Sequence, residues 1–78
     1  MINQQQIIEA IAENLTLQAA DIDLEASLKD DMGLNPVEIA DLLEGLSRKF
    51  NILFEPSEPG QIQTVGDLVE LVEDKLLE

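Results

Sequence analysis

The sequence predicts an all-α fold: a small irregular four-helix bundle with three main helices, one short helix and a long first loop. Three observations carry this. Apolar residues recur at helical spacing in three separate stretches. The segments between them collect Pro, Gly, Asn and Asp and show no strand alternation. The chain has 78 residues and no Cys, so an aliphatic core must hold it together without disulfides.

The first helix is expected from about Asn3 to Leu15. Ile7, Ile8, Ile11 and Leu15 fall within about 100° of one another on a helical wheel, behind a polar start of Asn3, Gln4, Gln5 and Gln6. The segment from Thr16 to Leu34 follows. Its irregularly spaced Leu17, Ile22, Leu24 and Leu28 suggest an ordered loop that tucks these side chains under the bundle, with room for a short helical turn.

The second helix is expected over Pro36 to Phe50, with Ile39, Leu42, Leu43, Leu46 and Phe50 on its core stripe. Asn35-Pro36-Val37-Glu38 supplies an N-cap, a proline at the first helical position and a capping-box acid. The next connection, Asn51 to Gln63, contains Pro56, Pro59 and Gly60 and holds at most a short helix near Ser57 to Ile62. The third main helix is expected from Val65 to about Leu77. Val65, Leu68, Val69, Val72 and Leu76 face the core, and Thr64 with Asp67 caps the start. Gly45 and Gly66 lie inside helical patterns, at a cost of about 1 kcal/mol each relative to Ala, and close packing of a neighbour would explain both. No repeat or linker divides the chain, so residues 1–78 are expected to form a single domain.

Composition narrows the function. Seventeen acidic against four basic residues give a net charge of −13, which repels phosphate backbones and anionic membranes and favours a basic protein surface as partner. Acidity also serves solubility alone. Without His or Cys, the chain lacks the commonest general base, metal ligand and thiol nucleophile, and it is not expected to be an enzyme. No apolar stretch approaches the roughly 20 residues of a membrane span. A cytoplasmic monomer is the expectation.

Ser27-Leu28-Lys29-Asp30-Asp31-Met32-Gly33-Leu34 running into Val37-Glu38-Ile39-Ala40-Asp41-Leu42-Leu43 resembles the acyl carrier protein family, which includes peptidyl carrier domains. Arg48-Lys49-Phe50-Asn51-Ile52 and Thr64-Val65-Gly66-Asp67-Leu68-Val69 extend the likeness over almost the whole chain. The family pattern at the head of the second helix contains Asp-Ser-Leu, and its serine hydroxyl is joined to 4′-phosphopantetheine, whose thiol carries the acyl group. Here those positions are Asn35-Pro36-Val37. Proline has no hydroxyl, and the neighbouring Asp, which in the family assists the metal-dependent attachment step, is the uncharged Asn35. No cofactor is therefore expected at Pro36. Both replacements suit a helix start, because Asn is among the best N-caps and Pro is pre-shaped for the first helical position.

The resemblance also implies a docking surface for basic patches of partner enzymes, such as a synthase or transferase. Glu38, Asp41 and Glu44 would be its acids, with Val37 and Ala40 as small apolar contacts. The three acids spread over about 120° of the face opposite the core stripe. As a plain solvated face, the same stretch gains a Glu44–Arg48 pair at i,i+4. Arg48 and Lys49 stand where many family members are acidic.

The expected function is thus a carrier-protein homologue with a variant attachment site. It would dock with a partner as a regulatory or structural component of fatty-acid, polyketide or nonribosomal-peptide biosynthesis. Two other readings compete. One is a genuine carrier loaded at another hydroxyl among Thr16, Ser27, Ser47, Ser57 and Thr64, none of which has an Asp-Ser-Leu-like context. The other is an acidic adaptor or decoy outside acyl metabolism. A calcium loop is also suggested by Asp21, Asp23 and Glu25 at EF-hand positions one, three and five. Ala26 replaces the needed Gly and Met32 stands at position twelve, so no metal site is expected.

Overall fold

Asn3 opens the first helix with a reciprocal cap. Its side-chain oxygen accepts from the Gln6 N–H at 3.0 Å, while the Gln6 side chain accepts from the Asn3 N–H at 2.9 Å. The helix α1 runs Gln4–Leu15 in the computed structural model, which describes residues 2–77. It ends on Thr16 in the left-handed conformation (φ 59°), and the Leu17 N–H then returns to the Ala12 carbonyl at 2.8 Å. This satisfies a terminal carbonyl in the usual way, but with a β-branched residue where Gly is usual.

The helices α2 (Pro36–Phe50) and α3 (Val65–Leu77) have the expected bounds, and α1 packs against both. The fourth helix is a short one within the expected bounds: a single 3₁₀ turn, Pro59–Gln61, lies inside Ser57 to Ile62. Gly60, inside the turn, has a high conformational entropy to lose, which disfavours a longer helix here. A second 3₁₀ turn, Ala19–Asp21, lies in the first loop.

Ile7, Ile11, Leu28, Leu42, Leu46, Val65, Leu68, Val69 and Val72 are fully buried and form the centre of the core. Ile8, Leu15, Ile39, Phe50 and Leu76, at the edges of the predicted stripes, are only partly buried against it. A domain this small has too few elements to cover a wide apolar stripe.

The first loop does tuck Leu28 into the core and rests Ile22 and Leu24 against it, but not Leu17, which is 46% exposed. Leu17 follows directly on the left-handed Thr16, and its backbone is committed to the end of α1, so its side chain is held at the surface.

The same loop is fastened to the start of α3 by backbone bonds. Leu28 N–H donates to Gln63 O at 2.9 Å, Val65 N–H to Ala26 O at 3.0 Å, and Gly66 N–H to Leu24 O at 2.8 Å. Ser27 and Thr64 form an isolated antiparallel bridge within this zipper, and there is no longer strand among the described residues. The expected close approach at the two helical glycines is present. A Cβ on Gly66 would stand 3.0 Å from the Leu24 carbonyl oxygen, and one on Gly45 would collide with the Asn14 amide of α1. The second connection is tied down by the Lys75 ammonium, 3.0 Å from the Glu58 carboxylate and 5.5 Å from the centre of the Phe54 ring. Neither member of that ion pair is well exposed.

Candidate functional site

The head of α2 is built by the loop that precedes it. Ser27 and Asp31 brace each other: the Ser27 N–H donates to the Asp31 carboxylate at 2.7 Å, and the Ser27 hydroxyl accepts from the Asp30 N–H at 3.0 Å. Gly33 takes a positive φ of 68°, which turns the chain, and the Leu34 N–H closes on the Leu28 carbonyl at 2.9 Å. Leu34 is buried, and the chain emerges at Asn35 and Pro36, both exposed.

Asn35 caps α2 as its sequence requires. Its side-chain oxygen accepts from the Glu38 N–H at 2.7 Å, and the Glu38 carboxylate accepts from the Asn35 N–H at 3.0 Å. Pro36 sits at the first helical position, where its missing N–H costs no hydrogen bond. A groove of about 580 Å³ opens beside it, lined among others by Ser27, Leu28, Ile39, Gly60 and Ile62.

The five residues expected to dock a partner are all exposed, Val37 to 68%, but they do not form one uniform strip. Glu38 and Asp41 lie on the flank of α2 that faces the end of α1, beside Leu15, Leu17 and Met32. Ala40 and Glu44 lie on the other flank, beside Leu53, Phe54 and Pro56. Their electrostatic commitments also differ. Glu38 is held by the capping box and Glu44 pairs with Arg48, whereas Asp41 has no hydrogen-bond or ion-pair partner among the described residues. Leu53, 83% exposed next to Ala40 and Glu44, is an apolar contributor that the sequence did not flag, because Leu in an Asn-Ile-Leu-Phe run gives no sign of which member faces out.

A family model described as "Phosphopantetheine attachment site" matches residues 5–72. The acyl carrier protein of Exiguobacterium sibiricum is 38% identical over 68 residues, covering 87% of this chain and 86% of that protein. The chain belongs to the acyl carrier protein family. The acyl carrier protein of Helicobacter pylori is 36% identical over 67 residues, covering 86% of each chain. The crystal structure of an acyl carrier protein from Thermotoga maritima shares the fold, with a TM-score of 0.77 at 23% identity over 95% of this chain and 92% of that one. Acyl carrier proteins are carriers and not enzymes, they ordinarily bear 4′-phosphopantetheine, and they interact with synthases and transferases of acyl pathways.

The remaining hydroxyls have defined places. Ser47 donates to the Ile52 carbonyl and Thr64 accepts from the Asp67 N–H at 3.1 Å, so both, like Ser27, hold the backbone at joints. Thr16 and Ser57 are exposed. The acids of the suspected calcium loop are occupied locally, as where Asp23 accepts from the Glu25 N–H at 2.9 Å. Among the described residues, no acidic cluster is arranged to hold a metal ion, and no helix is long and apolar enough to cross a membrane.

The Asp67 carboxylate accepts from the Thr64 and Gln63 N–H groups, each at 3.1 Å, and these bonds lower its pKa from the ordinary value. Glu58 is lowered likewise, first by the Glu55 N–H at 2.6 Å and then by Lys75. Both shifts belong to joints of the scaffold, away from α2.

Proposed function

We propose that this chain is an acyl carrier protein homologue that does not carry phosphopantetheine and acts as a single-domain docking or regulatory partner in an acyl pathway. The observation that carries it is Pro36 at the head of an intact, well-capped α2. The residue at the attachment position offers a pyrrolidine ring and no hydroxyl, so the prosthetic group does not fit there: its phosphodiester has no oxygen to form on. Meanwhile the surface beside it keeps exposed Val37, Ala40, Asp41 and Glu44.

The partner is a basic patch on a synthase, transferase or similar enzyme of fatty-acid, polyketide or nonribosomal-peptide biosynthesis. Complementary charge would speed the encounter and fix its orientation. Loading at another residue has less support, because Ser27, Ser47 and Thr64 use their hydroxyls in the scaffold. The protein would work as a cytoplasmic monomer, and nucleic acid is disfavoured as a partner by the charge of −13.

Competition tests the docking half of this reading. The protein is added to a reaction in which a phosphopantetheinyl transferase loads an ordinary acyl carrier protein. Dose-dependent inhibition is expected, and it should disappear in a variant carrying Glu38→Gln, Asp41→Lys and Glu44→Lys. Equal inhibition by the variant would contradict docking through these acids. Gln is chosen at 38 because it can still accept from the Asn35 N–H and so keeps the cap.

A further inference from the structure

The flank of α2 that faces α1 contains a groove of about 400 Å³ with Leu15, Met32 and Leu42 along it. Leu17 lines one part of it, and the carboxylates of Glu38 and Asp41 line another. No basic residue is among its lining residues, and Asp41 is unpaired among the described residues. An apolar trough with carboxylates at its margin matches an aliphatic side chain flanked by Lys or Arg.

Two features make Leu17 more than a stray surface leucine. Its backbone is fixed, since its N–H donates to the Ala12 carbonyl at 2.8 Å, so an exposed side chain is presented from a rigid helix end. The residue before it, Thr16, is β-branched and held at φ 59°, a conformation that costs of order 1 kcal/mol or more for such a residue. Leu17, the next residue, lines the groove and is not part of the core.

Resting on the docking reading above and going beyond it, we infer that this flank binds an amphipathic basic helix of a partner protein, with Leu17 as its apolar anchor and Asp41 and Glu38 as its charge contacts. A second copy of this chain is excluded as occupant by charge, because two surfaces of a protein at −13 would meet acid to acid.

The probe is a synthetic amphipathic helix of leucine and lysine, titrated into the intact protein at low salt. Affinity is read by fluorescence anisotropy, and the site by amide chemical shifts. Leu17→Ser should weaken binding about tenfold and Leu17→Met should restore it, as expected when part of a leucine side chain is buried in the complex. Leu53→Ser, the same change at a still more exposed leucine on the other flank, should stay within about twofold. Shifts should centre on Leu15, Leu17, Met32 and Leu42.

The opposite order, with Leu53→Ser damaging and Leu17→Ser silent, would overturn the assignment of the anchor. If both serine variants bind normally while Asp41→Lys with Glu44→Lys does not, the acidic face stands and the groove falls. If neither the charge pair nor the serine variants matter, both readings fall.

Discussion

Glu38 caps α2 and is also a proposed docking acid, and the first role constrains how the second can be tested. Its carboxylate accepts from the Asn35 N–H, and its own N–H donates to the Asn35 side chain. Asn35→Ala should therefore lower stability by about 1 kcal/mol in urea unfolding, the ordinary loss of a cap. Glu38→Gln should stay within about 0.5 kcal/mol of the native protein, because the cap survives. The capping role was legible in the local sequence, whereas the docking role is what the family resemblance implies and is proposed above. That one commitment limits the other required the distances. The Glu44–Arg48 pair was legible from its i,i+4 spacing, and the structure forms it while leaving the Asp41 carboxylate open. Such an exposed pair contributes little to stability.

Asp67 gives a residue-scale pH prediction. Its folded pKa lies below the ordinary value because backbone N–H groups bind the charged form. Its contribution is therefore complete above the unfolded pKa of about 4 and is lost as pH falls through the lower folded value. The stability advantage of the native protein over Asp67→Asn should be flat from about pH 7 to pH 5 and shrink below about pH 4, as measured by chemical denaturation at each pH. An advantage that grew on acidification would contradict the assigned hydrogen bonds.

At the scale of elements, the first loop, which leads into α2, is fastened to the start of α3. Gly66 is the tightest point of this contact, with its N–H 2.8 Å from the Leu24 oxygen. Gly66→Ala gains helix propensity of about 1 kcal/mol, yet it places a methyl 3.0 Å from a backbone oxygen that cannot rotate away. The expected outcome is net destabilisation of about 1–2 kcal/mol by urea unfolding, through loss of that hydrogen bond and overpacking. The periodic stripes made α1, α2 and α3 legible, and the signatures at Asn35 and Thr64 made two of the starts legible, because these signals are local. The cap at Asn3 was as local, but Gln6 read as part of a polar tract and not as its partner. The backbone zipper of residues 24–28 to 63–66, and the exposure of Leu17 and Leu53, depend on which distant segments meet, and no period or cap encodes that. Pro56, Pro59 and Gly60 limited the second connection to at most a short helix near Ser57 to Ile62, and the 3₁₀ turn Pro59–Gln61 lies within those bounds.

At the scale of the whole molecule, a charge of −13 on a chain of 78 residues makes self-repulsion a standing cost of the compact state. Raising salt from about 10 mM to about 150 mM shortens the screening length from roughly 30 Å to roughly 8 Å, so the melting temperature should rise. Binding to a basic partner should weaken over the same range. The same charge is the ground for the proposed class of partner, and the family pattern is the ground for the proposed face. What the fold adds is that the face has two unlike flanks.

The central claim is that the scaffold is that of a carrier while the attachment position is not. Intact mass measures this directly, taken before and after incubation with coenzyme A and a broad-specificity phosphopantetheinyl transferase. The account predicts no change for the native sequence and one added phosphopantetheine for a variant with Asn35→Asp and Pro36→Ser. An adduct on the native protein would contradict it and move the search to the other hydroxyls.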